Sequence, residues 1–353
     1  MSKNSLLLYG ANGYTGQLIA EVSPVYNLYP ILAGRKKEAI LSLADMYSLP
    51  NIIVDLNDTE ALEKALQEVA LVIHAAGPYQ FTAKQMVEAC LKTKTHYLDI
   101  NGDIAVFEML KGYDEQARKA GIMVMPGVGF DVVPTDCIAL LLKKHMPDAV
   151  GLKLAFGSQG GGLSHGTATT MVYKLGKGGA VRKDGRIIKS PIGKKGMWVN
   201  FGIKKLFVMS IPWGDISTAY VTTGIPDIET YTAISPTLFN ALKLQPLFNW
   251  ILRISAIHNF IKKKIDERPA GPDKDSRSKS SVLVWGQVAN AAGKTAAALL
   301  SGPDGYTMTA HSSLIIARKV LNGNFSPGFQ TPAKVYGEDL ILEVPGVKRE
   351  LLD

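Results

Sequence analysis

Three glycines at intervals of three, Gly10, Gly13 and Gly16 in the stretch GANGYTG, follow an apolar run at Leu6 to Tyr9 and precede a helical run from Gln17 to Val22. Glycine at these points lets the chain turn tightly at Gly10, brings the backbone close to a pyrophosphate at Gly13, and lets helix and strand pack closely at Gly16. Asn12, Tyr14 and Thr15 complete the turn. The N–H groups and positive dipole end of the helix that follows suit phosphate oxygens. The spacing is GxxGxxG rather than the simplest dinucleotide fingerprint, so its context has to carry the assignment.

Proton-transfer residues lie further along the chain. Tyr79 follows Gly77-Pro78, and SHGT contains His165, a residue type suited to passing protons. A hydrogen-bonded surface histidine is the competing reading of His165. Tyr173 and Lys177 show the YxxxK spacing in which a lysine lowers a tyrosine pKa, but with 13 tyrosines in the chain chance also supplies such a pair. His74 lies inside an apolar run and reads as a core residue.

The elements that must position these groups alternate between short apolar runs and amphipathic stretches. Pro30 to Ala33 predicts a second strand ending in Gly34-Arg35-Lys36-Lys37, with no acid before Glu38. An acid at this point would bind a ribose 2′-hydroxyl, whereas Arg35 and its lysines suit a 2′-phosphate, so the cofactor expected is NADP(H). Ile52 to Val54 predicts a third strand that places Asp55 and Leu56 beside an adenine, with helix entry as the alternative for Asp55. Leu71 to Ala75 predicts a fourth, running into Ala76, Gly77 and Pro78, whose small size lets a nicotinamide ribose lie against the backbone. THYLDING and GIMVMPG supply a fifth and a sixth. The expected fold is α/β, a Rossmann-type doubly wound parallel sheet, with ligand beyond the C-terminal strand ends.

GANGYTG, AGR at Ala33 to Arg35, GPY at Gly77 to Tyr79 and GFDVVPTD at Gly129 to Asp136 together resemble the saccharopine dehydrogenase-like oxidoreductases. SHGTATT near residue 165 and GFQTPAKVYGEDLI near residue 330 extend the resemblance over most of the chain. That group includes lysine-pathway enzymes and trans-acting enoyl reductases. The resemblance implies NADP(H)-dependent hydride transfer, and it places Asp131 and Asp136 near the nicotinamide, helix capping being the other reading. The expected proton donors are Tyr79, Asp131 and His165, in that order. Also implied are three segments: an NADP-binding domain over 1–135, a substrate domain of α+β type with a mixed or antiparallel sheet over 136–305, and helices over 306–353 that pack back on the first domain.

At 353 residues the chain has room for two cores. It offers no 18-residue apolar stretch, and the N-terminus lacks a signal-peptide pattern, so a cytoplasmic location is expected. Cys90 and Cys137 are the two cysteines, without CxxC or His/Cys clustering, so neither a disulfide framework nor a metal site is expected. The net charge of +8 is concentrated between residues 174 and 205, where ten Lys or Arg face the single acid Asp184. Such a patch points to an anionic partner such as a lipid head group or an acyl carrier protein, or else to a solvated basic loop. Nucleic acid is not an expected partner. Leu238, Leu242, Leu247, Phe248, Ile251, Leu252, Ile254 and Ile257 recur at helical spacing within residues 235–265, which suits an acyl tunnel or a membrane surface, or packing in a core or homodimer interface. These two regions favour an acyl or lipid-like small-molecule substrate with peripheral association at a lipid surface. A saccharopine-type amino-acid dehydrogenase and a non-catalytic NADP(H)-sensing or lipid-surface protein are the alternatives.

Overall fold

Four-residue apolar runs such as Leu6–Tyr9 and Leu71–His74 are buried at every position, the pattern of parallel strands covered on both faces. The computed structural model describes residues 5–160, 162, 164–174, 178–242, 263–264, 267 and 269–352. Two compact units divide the chain, one of residues 1–133 with 305–344 and the other of residues 134–304 with 345–353.

In the first unit, strands β1 (Leu6–Tyr9), β2 (Ile31–Gly34), β3 (Asn51–Ile53), β4 (Leu71–His74), β5 (His96–Asp99) and β6 (Met123–Met125) alternate with helices α1 (Tyr14–Val22), α2 (Lys37–Tyr47), α3 (Thr59–Gln67), α4 (Tyr79–Thr93), α5 (Ile104–Lys111) and α6 (Asp114–Ala120). They form one sheet in the order β6-β5-β4-β1-β2-β3, extended beyond β6 by the short strand Gly328–Phe329, and every pairing is parallel. The strand order reverses between β1 and β4, the switch point at which such sheets hold ligands. Leu7, Leu8, Leu32, Val72, Ile73 and Leu98 form the buried centre.

The helix Gly305–Leu321 belongs to this unit. Tyr306 meets Tyr14 edge to face with ring centroids 4.9 Å apart. Thr309 Oγ1 accepts from the Phe130 N–H at 3.0 Å, and Ser312 Oγ donates to the Val128 carbonyl at 2.7 Å. The helix therefore braces both the start of α1 and the loop after β6.

The second unit opens on α7 (Val133–His145), which begins at the unit boundary, and continues through β7 (Ala149–Gln159), α8 (His165–Lys174), β8 (Gly179–Lys183), β9 (Arg186–Ser190), β10 (Gly196–Asn200), β11 (Lys205–Ile211), α9 (Asp215–Thr223), β12 (Asp227–Ala233), α10 (Pro236–Leu242), β13 (Ser281–Asn290) and β14 (Thr295–Pro303). Its sheet runs β10-β11-β12-β7-β13-β14 and ends in the strand Lys348–Leu352, with β8 and β9 attached at β12. The β12–β7 pairing is parallel and the other pairings are antiparallel, so the sheet is mixed. Val199, Phe201, Val208, Tyr231, Leu283, Trp285 and Leu299 make its core.

Two expectations are corrected. The end of the chain is not helical throughout: Lys348–Leu352 pairs with β14, because a sheet edge offers backbone partners that local propensity does not report. The basic stretch 174–205 is not simply a solvated loop, since Lys183 rides on an exposed position of β8, Arg186 and Lys189 on β9 and Lys205 on β11, while Arg182 is buried in β8. Of the amphipathic stretch 235–265, Leu238 and Leu242 fall in α10, whereas Leu247 to Ile257 lie outside the described residues, as does Lys177 of the YxxxK pair.

Candidate functional site

The turn after β1 requires its glycines for steric reasons. Gly10 has φ +83, and a Cβ there would lie 2.8 Å from the backbone of Ala75 and Ala76 in the loop after β4. A Cβ on Gly16 would lie 2.4 Å from the Gly10 carbonyl oxygen. The N–H groups of Gly10 and Ala11 both donate to the Ala33 carbonyl, at 2.8 and 3.2 Å, and tie the turn to the end of β2. Gly13 is the N-cap of α1, exposed, with no side-chain cap and no acid in the first helical turn. The first N–H groups of a helix have no intrahelical acceptor, so this end is built to receive an anion. Asn12, Tyr14 and Thr15 line the half-buried rim, and the Gln17 amide donates to the Asn12 carbonyl at 3.0 Å.

Gly34 packs against that rim, where a Cβ would lie 3.1 Å from Asn12 Oδ1. Arg35 and Lys36 follow directly, both exposed, Lys36 being the uncapped N-cap of α2. A cationic side chain, a second uncapped helix start and no carboxylate before Glu38 make a donor set that fits a 2′-phosphate.

Past β3, Asp55 Oδ1 accepts from the N–H and the side-chain amide of Asn57, each at 2.9 Å. The helix-entry role instead belongs to Asp58, which caps α3 through the Ala61 N–H at 3.0 Å. Leu56 is buried beside Asp55. The Tyr9 hydroxyl donates to the Val54 carbonyl at 3.2 Å, and burial above all, with the Asp55 charge second, pushes its pKa up to about 12.

Beyond β4 come Ala75, Ala76, Gly77 and Pro78, and Thr82 Oγ1 holds this loop by donating to the Ala76 carbonyl at 2.8 Å. The same hydroxyl lies 3.0 Å from His74 Nε2 and accepts from it. His74 is fully buried, and desolvation pulls its pKa down to about 3, so the ring is neutral. Its Nδ1 has no hydrogen-bond partner among the described residues. His74 is a core residue, as its position in an apolar strand suggests, although only one ring nitrogen is satisfied.

Tyr79 donates its hydroxyl to the His74 carbonyl at 3.2 Å. Burial holds the phenol well above its ordinary pKa, and the nearby Asp99 and Asp131 carboxylates raise it further. Asp131 packs against Gly102, where a Cβ would lie 2.4 Å from Asp131 Oδ2. Tyr79 and Asp131 are thus brought together at the ends of β4, β5 and β6. His165 lies in the other unit as the first residue of α8, its N–H donating to the Ala270 carbonyl at 2.9 Å. Asp136 also belongs to the second unit, where it accepts from Thr222 at 2.5 Å.

Sequence reasoning passed over the groups that hold this corner together. Asp99 is fully buried and accepts from the Tyr97 hydroxyl at 2.6 Å, the Asn101 N–H at 3.0 Å, the Asn101 side-chain amide at 2.7 and 2.8 Å, and the Gly127 N–H at 2.9 Å. Its pKa is nonetheless raised, because burial outweighs these bonds. The available signal was Asp99-Ile100-Asn101-Gly102, an acid and an amide two residues apart with glycine next, directly after a strand.

With this geometry in hand, residues 6–125 match the model of the saccharopine dehydrogenase NADP binding domain. The saccharopine dehydrogenase-like oxidoreductase of Mus musculus is 28% identical over 203 residues, which cover 50% of this chain and 47% of that protein. A lipid droplet localized protein of Caenorhabditis elegans is 27% identical over 208 residues, covering 52% and 49%. The chain thus spans about half the length of the curated relatives it matches. Apo saccharopine dehydrogenase (L-Glu forming) from Saccharomyces cerevisiae aligns over 100% of both chains with a TM-score of 0.67 at 15% identity, a likeness of fold.

Proposed function

From a first unit whose residues 6–125 form a saccharopine dehydrogenase-type NADP-binding domain, we infer that the chain is a cytoplasmic NADP(H)-dependent oxidoreductase acting on an acyl or lipid-like substrate with an unsaturated or carbonyl carbon. The observation that carries this reading is the convergence of four strand ends on one cradle: the Gly10–Gly16 turn, Arg35, Asp55 with Leu56, and Ala76 to Tyr79. NADP(H), when bound there, supplies the redox chemistry. The start of α1 holds the pyrophosphate, Arg35 the 2′-phosphate, and the small residues Ala76 to Pro78 leave room for the nicotinamide ribose.

Tyr79 and Asp131 are the residues of this unit placed to manage a proton. A tyrosine facing two carboxylates stays a neutral phenol, so Tyr79 acts as a hydrogen-bond donor that turns from the His74 carbonyl to a substrate oxygen. The lipid-like substrate is supported by the exposed basic residues Lys183, Arg186 and Lys189 of β8 and β9 and Lys205 of β11, and by the lipid droplet localization in the name of the nematode relative. Among the described residues no helix is long and apolar enough to cross a membrane.

The test is to incubate the protein with NADPH and a panel of enoyl thioesters, enones and saccharopine while following cofactor absorbance. Tight NADPH binding with no oxidation across the panel would leave a cofactor-sensing protein in place of an enzyme. Tyr79→Phe is expected to lower kcat by about 10²- to 10³-fold while NADPH affinity holds, as stopped-flow traces and calorimetric titration would report. An unchanged kcat would remove Tyr79 from the chemistry. Arg35→Glu is expected to weaken NADPH by about 10- to 100-fold, the worth of one charge-assisted contact, and to leave NADH nearly unchanged. Equal losses for both cofactors would assign Arg35 another role.

A further inference from the structure

The β10–β11 hairpin ends in an apolar tip that the described chain leaves open. Its register pairs Trp198 with Phe207 and Asn200 with Lys205, and the turn passes through Gly202 at φ +81. Alternation sends Val199 and Val208 into the core and leaves Trp198 and Phe207 on the opposite face, their rings edge to face 5.5 Å apart. Ile203, at the apex of the turn, is 76% exposed, and Trp198 is 56% exposed. Beside the tip lies a depression of about 400 Å³ walled by Trp198, Lys205, Phe207, Ile234 and Pro236. Leu238 of α10, two residues further on, is 52% exposed.

The hairpin itself carries charge of one sign. Residues 196–211 contain no Asp or Glu, and Lys204 and Lys205 stand exposed beside Ile203. Among the described residues neither lysine has a carboxylate within ion-pair distance. An apolar apex beside two adjacent cations, with a tryptophan set back along the strand, is the arrangement that suits the boundary between anionic head groups and acyl chains. We propose that the β10–β11 hairpin docks on an anionic lipid surface, with Ile203 and Trp198 entering the acyl boundary and Lys204 and Lys205 against the head groups. The proposal rests on the lipid-surface reading above and supplies it with a contact.

The test is flotation of the full chain with phosphatidylcholine vesicles, with and without phosphatidylserine. Wild type is expected to float with the anionic vesicles and to be released by salt. Ile203→Asp is expected to weaken binding about tenfold or more, from the lost burial of one aliphatic side chain. Lys204→Glu with Lys205→Glu is expected to weaken it by a similar factor. Both variants keep the wild-type melting temperature and NADPH affinity, because these side chains sit on an exposed turn of the second unit. Cys90 and Cys137 are buried, so Ile203→Cys takes a polarity-sensitive fluorophore selectively, and its emission is expected to shift to the blue with anionic vesicles.

Equal flotation with neutral vesicles, or undiminished flotation of Ile203→Asp, would overturn the proposal. So would a fluorophore response to protein concentration alone, which would mean a second copy, or to an acidic carrier protein but not to vesicles. Turnover of an acyl substrate without flotation removes the docking surface and spares the enzyme reading. Flotation without turnover does the reverse.

Discussion

Gly10→Ala is expected to abolish useful NADPH binding and to destabilise the first unit. Two costs combine. A side chain at φ +83 occupies the left-handed region, worth about 1–2 kcal/mol for an ordinary residue. The added methyl would also stand 2.8 Å from the backbone of Ala75 and Ala76, which cannot swing aside as a flexible side chain would. The turn and the loop after β4 must separate, and these are the two walls proposed above to hold the pyrophosphate and the nicotinamide. A displacement of this kind, on the order of 1 Å, costs about a hundredfold in a positioned site. Calorimetric titration with NADPH and a thermal melt would measure both effects. Gly13→Ala is the matched control: Gly13 is exposed at φ −73, and its Cβ would meet the Gly10 carbonyl at 3.2 Å and the Ala75 carbonyl at an ordinary 4.0 Å. That variant should keep its melting temperature and lose affinity, because the methyl stands where the phosphate must approach. If Gly10→Ala binds NADPH as the wild type does, the turn is not the phosphate site.

Asp99→Ala is expected to cost about 3–5 kcal/mol, the penalty for removing one member of a buried charge network. The Tyr97 hydroxyl, the Asn101 amide and the Gly127 N–H would lose their acceptor, and Tyr97 and Gly127 have no route to bulk water from their buried positions. Urea unfolding of the variant beside wild type would measure the loss. Asp99→Asn should fall between the two, since its one remaining oxygen still accepts while its NH₂ faces other donors. The effect reaches the site, because the turn Asp99 holds carries Gly102, against which Asp131 is packed. Survivors of either substitution should lose turnover at saturating NADPH more than they lose affinity for it. A loss under about 1 kcal/mol for Asp99→Ala would show that water or a neighbour replaces the carboxylate.

Much of the first unit was legible along the chain. Leu6–Tyr9 and Leu71–His74 are runs that only a strand buried on both faces can use, and Gly10, Gly13 and Gly16 announce a turn whose local demands are a positive φ at Gly10 and the close approach of Gly16 to the Gly10 carbonyl. Arg35 was equally plain, since the absence of an acid after β2 is a matter of composition. These features depend on residues within a few positions of one another, so the sequence by itself determined a doubly wound sheet with a phosphate-binding turn and a basic second strand end.

The remainder depended on residues distant in the chain. Asp55 has the same sequence setting whether it contacts a cofactor or caps a helix, and only the folded chain assigns the cap to Asp58 and pairs Asp55 with Asn57. Asp99 looks like a strand-end acid until Gly127, 28 residues on, turns its N–H toward it. Thr309 could not be foreseen as the anchor of Phe130, because 179 residues separate them. Tertiary structure alone decided that Lys348–Leu352 closes the second sheet and that Ile203, Trp198 and two lysines share one uncovered tip. Periodicity encodes which face of an element is apolar. Which neighbour covers that face, or whether any does, is set by the balance of contacts across the whole chain.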